Sequence, residues 1–345
     1  MSDRKVLGVI TEFKRFATHD GPGIRTTVFV KGCPLRCVWC SNPETWEMTP
    51  QLYYKPQLCV ECGRCVEVCP EKAVTMDKDR KVDRLKCTLC FKCVDACLYG
   101  AFEKVGKVVS VDEVLRIVER DLPFYRRSGG GVTFSGGEPL QQPTFTSEVF
   151  KRCKEKGIHT TLDTCGYAKP ELVEEVLKYT DLVLLDIKHM DSEKHIKYTK
   201  VNNEIILRNA RLMASRCEVR VSLPLIPTLD DSYENIKATS EFAKSIGVKY
   251  IDIEPLHKFG DHKYKFLGLE SPYTHLREPT QEEVLKVKRD RIAGLTRYYR
   301  SDDVTDRFMQ VFLAGSYRLS ILPIKVGKQE SSLSPTRHHI PSKEP

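Results

Sequence analysis

Lys31-Gly32-Cys33-Pro34-Leu35-Arg36-Cys37-Val38-Trp39-Cys40, written KGCPLRCVWC (31–40), decides the reading of this 345-residue chain. It spaces three cysteines as C-x3-C-x2-C with no obvious fourth cysteine nearby. Thiolates are soft donors suited to iron–sulfur clusters. Three ligands on a four-iron cube leave one iron open, much as catalytic zinc sites keep a position free for substrate. The segment just before, IRTTVFVK (24–31), reads as a β-strand from its β-branched and aromatic residues and its apolar alternation. The turn-rich Asp20-Gly21-Pro22-Gly23 precedes it. The strand thus delivers the three cysteines to the C-terminal edge of a sheet, where α/β folds put their chemistry. A structural zinc site completed by a distant ligand such as His19 is the other reading of the same cysteines.

Further along, Cys59-x2-Cys62-x2-Cys65-x3-Cys69-Pro70 is followed by Cys87-x2-Cys90-x2-Cys93-x3-Cys97. Each run has the bacterial ferredoxin spacing, in which the fourth cysteine ligates the other cluster of a pair. That rule assigns Cys59, Cys62, Cys65 and Cys97 to one 4Fe–4S cube and Cys69, Cys87, Cys90 and Cys93 to a second. Two zinc knuckles are the plainer alternative, and the doubled C-x3-C spacing argues against them. Residues 50–105 otherwise hold short apolar runs without a long periodic segment. They read as a compact ferredoxin-like insert, with an electron relay or a structural block as its role.

Past the insert the pattern alternates. Helical periods cover 110–121, 143–156, 171–179, 192–199 and 233–247, and strand signals cover 131–135, 158–163, 182–188, 217–226 and 250–256. With 24–31 this gives six strands in a parallel α/β sheet, too few for an eight-stranded barrel, so a partial (β/α)6 barrel is expected. The expected domains are the barrel's start with the cysteine loop (1–49), the insert (50–105), the rest of the barrel (106–296) and a divergent tail (297–345). The tail's polar end reads as disordered.

Apolar residues make up 41% of the chain, enough for a real core. No apolar run of eighteen residues occurs, so no membrane span is expected. The charged N-terminus lacks the apolar region of an export signal, which points to the cytosol. Fourteen cysteines in such a chain, many closely paired, suit metal chelation better than disulfides. The formal charge of +8 invites a nucleic-acid reading. Clustered thiolates would offset much of that charge, so no nucleic-acid partner is expected.

KGCPLRCVWCSNPE, with HDGPGIRTTVF before it, resembles the activating enzymes of glycyl radical enzymes, a branch of the radical S-adenosylmethionine (SAM) superfamily. The resemblance runs from about Ile10 to about Glu270 and implies a radical SAM barrel. It implies that S-adenosylmethionine chelates the open iron of a cluster held by Cys33, Cys37 and Cys40. Its reductive cleavage then yields a 5′-deoxyadenosyl radical, which takes a hydrogen atom from a backbone glycine of a partner enzyme. Reduced flavodoxin or ferredoxin would supply electrons, and three 4Fe–4S clusters are implied in all.

The resemblance also names pocket residues. Gly136, Gly137 and Glu138, in SGGEP (135–139), match the motif that binds the methionine amino group. There glycines allow close approach and the Glu138 carboxylate accepts from an ammonium. Asp163, beside Thr164, and Asp186 match aspartates facing the cofactor. Lys188 matches a catalytic-pocket lysine that pairs the methionine carboxylate. His257 matches a histidine near the ribose. Related activases carry an arginine five residues before the proline that ends the fifth strand. Here that place is Ser222 and the arginine is Arg220, on the same strand face. This arrangement is similar to activases of benzylsuccinate-type, fumarate-adding synthases. Cys153 and Cys217 read as small buried residues, and Cys165 as a neighbour of the pocket. Three rivals remain: a radical SAM enzyme acting on a small molecule, an iron–sulfur electron-transfer protein, and a zinc-dependent nucleic-acid binder.

Overall fold

A computed structural model describes residues 5–76, 82–227, 229 and 232–289. The expected divergent tail from 297 lies outside the described residues. The chain opens with β1 (Leu7–Ala17) and β2 (Arg25–Val30). The insert contributes β3 (Gln51–Tyr54), the single turns α1 (Arg64–Glu67) and α2 (Lys92–Asp95), and β4 (Phe102–Val105). Next come β5 (Lys107–Ser110), α3 (Val111–Glu119), α4 (Leu122–Ser128), β6 (Gly131–Gly136), α5 (Pro143–Glu155), β7 (His159–Thr164), α6 (Pro170–Leu177) and β8 (Leu182–Asp186). The described chain ends with α7 (Ser192–Thr199), α8 (Glu204–Ala214), β9 (Glu218–Leu225), α9 (Ser232–Ser245), β10 (Tyr250–Pro255), α10 (Asp261–Leu267) and α11 (Gln281–Arg289).

One sheet runs in the order β10-β9-β8-β7-β6-β2-β1-β5. Its six strands from β2 to β10 are parallel, as expected, and each pairs with the next in sequence. That one-way order is the winding of a barrel, without the strand-order reversal of a doubly wound sheet. β5 and β10 lie at opposite ends of the order, so the barrel is open. β1, paired antiparallel with both β2 and β5, extends the sheet in a way that sequence reading did not foresee.

Alternation along the strands separates two faces. Val132 and Phe134 of β6, Val183 and Leu185 of β8, and Val219, Val221 and Leu223 of β9 enter the core shared with the helices. From α3 that core takes Val114, Leu115 and Val118, and from α5 Phe145, Val149, Phe150 and the fully buried Cys153. α3 starts where the Ser110 hydroxyl accepts from Glu113 N and the Glu113 carboxylate accepts from Ser110 N at 2.7 Å, a capping box. The opposite strand face carries Arg25, Thr27, Thr133, Ser135, Thr161, Asp163, Asp186, Arg220, Ser222, Asp252 and Glu254. The barrel interior is therefore largely polar, in contrast to the apolar layer under the helices. Among the described residues no helix is long and apolar enough to cross a membrane.

Candidate active site

β2 ends at Val30, and the chain turns over the C-terminal edge of the sheet into the cysteine loop. Lys31 is fully buried and donates to the carbonyl of Glu44 and to Gln51 Oε1; burial pulls its pKa down to about 8. Backbone bonds then fix the loop: Gly32 N to Thr45 O (2.7 Å), Cys33 N to Trp46 O (3.0 Å), Arg36 N to Thr199 O (2.8 Å) and Val38 N to Tyr198 O (3.0 Å). Tyr264 of α10 donates its hydroxyl to Cys40 O at 2.8 Å, and Tyr273 donates to Trp39 O at 3.0 Å. Trp39 packs among Tyr198, Ile226, Leu256 and these two tyrosines. Elements from both halves of the barrel thus hold the three cysteines.

Burial pushes the thiols of Cys33 and Cys40 up and that of Cys37 up to about 12, against the pull of nearby Lys188. Ligation requires the thiolate, so a bound metal cluster is what this donor set is built to meet. His19 precedes β2, and Cys33 follows it. A six-residue strand, about 17 Å long, separates them, which removes His19 as a fourth ligand of a zinc site. Among the described residues no three His, Cys, Asp or Glu side chains converge as the ligands of a single ion would.

The glycines of SGGEP also answer to close backbone packing. A Cβ on Gly137 would lie 2.4 Å from Gly32 O, and one on Gly136 would lie 2.7 Å from Val30 N. The missing side chain of Gly137 makes room for the backbone of the cysteine loop, and that of Gly136 for the end of β2. Glu138 N donates to Gly32 O at 2.7 Å and locks the two segments together. The Glu138 carboxylate is fully buried, and burial raises its pKa. Its Oε1 accepts from Leu140 N (2.9 Å) and Thr164 Oγ1 (2.6 Å), and its Oε2 accepts from Cys165 N (2.7 Å). Glu138 is foremost a brace between β6 and β7, and the Cys165 side chain meets its carboxylate as well.

At the same C-terminal edge, Lys188 Nζ pairs with Asp186 Oδ2 at 2.7 Å. Burial opposes the Lys188 charge, but Asp186 foremost, with Cys37 nearby, outweighs it and holds its pKa above the usual range. Asp163 accepts from Ser135 Oγ at 2.5 Å, and burial together with Asp186 lifts its pKa. Ser222 lies in register with both Asp186 and Asp252. Arg220 sits one layer lower, in register with Leu184 and Tyr250, against the Tyr250 ring and 3.2 Å from Glu218. His257 is exposed beyond β10 and stacked on Phe259 with ring centroids 4.8 Å apart. It stands at the rim of the site. Sequence reading missed Asp252 and the exposed Glu254, which share the strand face of Ser222 and Arg220. Their alternation in YIDIEP was the available signal.

Asp20-Gly21-Pro22-Gly23 closes the barrel's other end. Thr27 Oγ1 donates to Asp20 Oδ2 (2.5 Å), Thr133 Oγ1 to Asp20 O (2.7 Å) and the buried Arg25 to Pro22 O (2.9 Å).

In the insert, one cavity is lined by Cys69, Cys87, Cys90 and Cys93 and another by Cys59, Cys62, Cys65 and Cys97. The division is the one the ferredoxin spacing dictated. The backbone repeats with it. Glu61 (φ 60°) and Leu89 (φ 56°), Gly63 (79°) and Phe91 (59°), and Lys72 (49°) and Gly100 (68°) take left-handed conformations at matching places in the two runs. Such φ values are uncommon outside glycine, and chains alternating this way turn successive N–H groups toward an anionic centre. Ala73 N accordingly donates to Cys69 Sγ at 3.2 Å, and backbone N–H groups from Tyr99 to Phe102 draw the Cys97 pKa down against its burial.

The radical SAM superfamily signature matches residues 27–243. The isethionate sulfite-lyase activating enzyme of Oleidesulfovibrio alaskensis is 42% identical, covering 78% of this chain and 90% of that protein. The trans-4-hydroxy-L-proline dehydratase activating enzyme of Clostridioides difficile is 40% identical over 81% and 95% of the two chains. The benzylsuccinate synthase activating enzyme of Thauera aromatica is 41% identical over 78% and 84%. Their identities are so even that similarity does not single out the benzylsuccinate type. With a matched superfamily signature and relatives covered over most of their length, the chain belongs to the radical SAM superfamily, among its glycyl radical enzyme activating enzymes.

Proposed function

We propose that this chain activates a partner glycyl radical enzyme by taking a hydrogen atom from one of its backbone glycines. One observation carries the reading: Cys33, Cys37 and Cys40 are held rigidly at the mouth of a polar barrel, directly beside the Lys188–Asp186 pair. The three thiolates fit a 4Fe–4S cluster with one iron left for S-adenosylmethionine, which on reductive cleavage supplies the 5′-deoxyadenosyl radical. Lys188, kept charged by Asp186, pairs the methionine carboxylate. The amino group is received near Gly136, Gly137 and Glu138, and Ser222, Asp163 and Asp186 line the wall beside it. Arg220 supports that wall from below, and His257 guards the rim where a partner's loop approaches.

The same reading places two further 4Fe–4S clusters in a ferredoxin-like insert, on Cys59, Cys62, Cys65 and Cys97 and on Cys69, Cys87, Cys90 and Cys93. Two four-cysteine cavities with matched backbone turns support it. These clusters relay electrons from reduced flavodoxin or ferredoxin. Nothing in the site calls for nucleic acid, and so thiol-rich a chain suits the reducing cytosol. Cys37→Ala tests the assignment. It is expected to abolish 5′-deoxyadenosine formation after anaerobic reconstitution while about two-thirds of the iron remains. Near-normal formation by that variant would remove the cysteine loop from the chemistry.

A further inference from the structure

The two cysteine runs of the insert repeat each other in spacing and in backbone turns, yet the fold places their cavities at unequal depths. The β3–β4 ladder supplies the ruler. It pairs Gln51 with Val105 at one end and Tyr54 with Phe102 at the other. The Gln51–Val105 end abuts the barrel. A Cβ on Gly106, the next residue, would lie 2.6 Å from the Lys31 side chain, two residues from Cys33. Leu52, near this inner end, lines the cavity of Cys69, Cys87, Cys90 and Cys93. Ala101 and Phe102, at the outer end, line the cavity of Cys59, Cys62, Cys65 and Cys97. Two residues of strand, about 7 Å, separate the levels.

Arg84 adds a second, independent link. It stands three residues before Cys87 of the inner site. It also donates to Leu52 O at 2.5 Å and to Phe266 O of α10 at 2.9 Å. α10 in turn reaches the cysteine loop through Tyr264 to Cys40 O (2.8 Å) and Lys263 to Asn42 Oδ1 (2.8 Å). A short path of bonded and hydrogen-bonded groups therefore runs from the inner site to the loop of Cys33, Cys37 and Cys40.

We infer that the insert conducts in one fixed order. Electrons arrive at the Cys59–Cys62–Cys65–Cys97 site, cross to the Cys69–Cys87–Cys90–Cys93 site, and leave past Arg84 and α10 to the catalytic loop. The inference rests on the reading that the insert holds two clusters. Each step moves one electron and no proton. A reduced carrier protein of the flavodoxin class is oxidised by one electron, each site is reduced and then reoxidised in turn, and the electron is consumed in the reductive cleavage of S-adenosylmethionine.

The test uses two surface leucines that touch little. Leu98, beside Cys97 of the outer site, is 71% exposed, and Leu85, two residues before Cys87 of the inner site, is fully exposed. Each is changed to glutamate in the iron-loaded full chain. Reduction by flavodoxin hydroquinone is followed by bleaching of the visible absorbance, without S-adenosylmethionine. A charge buried under the donor's contact weakens it, so Leu98→Glu is expected to slow bleaching about tenfold or more. Leu85→Glu is expected to match the unmodified chain, and dithionite is expected to reduce all three proteins alike. A larger loss in Leu85→Glu, equal losses, or no loss in either would overturn the order. Iron content separates this failure from that of its premise. A chain with about four irons removes the two-cluster reading and this inference with it, whereas about twelve irons with the wrong kinetics removes the inference alone.

Discussion

At the scale of single residues, the roles of Gly137 and Glu138 changed most between sequence and structure. A motif shows which residues are present but not which backbone lies against them. Gly137 faces Gly32 O at 2.4 Å from where its Cβ would be, a rigid backbone atom that cannot swing aside. Gly137→Val is therefore expected to displace the cysteine loop and to lose the catalytic cluster's spectroscopic signature together with cofactor affinity. Anaerobic titration and electron paramagnetic resonance (EPR) on the reconstituted variant check this; an intact signature with weakened cofactor binding would restore the simpler pocket role. His159 offers a pH test. Burial and Arg25 pull its pKa from 6.5 down to about 4, so it folds neutral. Between these values the unfolded chain binds the extra proton, and stability falls as pH drops from 6.5 toward 4. Replacing His159 with glutamine is expected to flatten that part of the melting temperature's pH dependence.

At the scale of elements, the parallel strands were legible because each buries one face against helices and so alternates cleanly, as in GVTFS and CEVRVSLPLI. β1 was not. LGVITEFKRFA follows the burial pattern of a sheet margin, with Lys14, Arg15 and Phe16 exposed, and its charges hid the alternation. α8 was missed as well, although Glu204, Ile206, Ala210 and Met213 give it an acidic first turn and a buried stripe. Helix α3 was read correctly from its N-cap serine. Ser110→Ala removes the hydroxyl that accepts from Glu113 N, and the loss is expected to be about 1 kcal/mol in denaturant unfolding. No change would mean that packing of Val114, Leu115 and Val118 alone fixes where the helix begins. Tyr264→Phe, which removes the donor to Cys40 O, is expected to keep the fold but broaden the catalytic cluster's EPR signal.

At the scale of the molecule, the family's chemistry was visible in the C-x3-C-x2-C spacing, because ligand spacing along a chain is a local property. The depth of the two insert sites was not visible, since it depends on the register of β3 with β4 and on Arg84 reaching Phe266. Nor was the acidic wall of Asp252 and Glu254, which exists only once β10 pairs with β9. The partner's identity also lies beyond the fold, because relatives that activate different enzymes share about the same identity with this chain. The central claim is hydrogen-atom transfer from a partner's glycine, and isotope transfer tests it most directly. Glycyl radical enzymes of the classes activated by its relatives are prepared with α-deuterated glycine. Each is mixed with the reduced, iron-loaded chain and S-adenosylmethionine, and the 5′-deoxyadenosine is analysed by mass spectrometry. The account predicts that with the cognate partner the 5′-deoxyadenosine carries deuterium, in step with a glycyl radical EPR signal and only when Cys37 is intact. Unlabelled 5′-deoxyadenosine formed alongside a glycyl radical in that partner would contradict it.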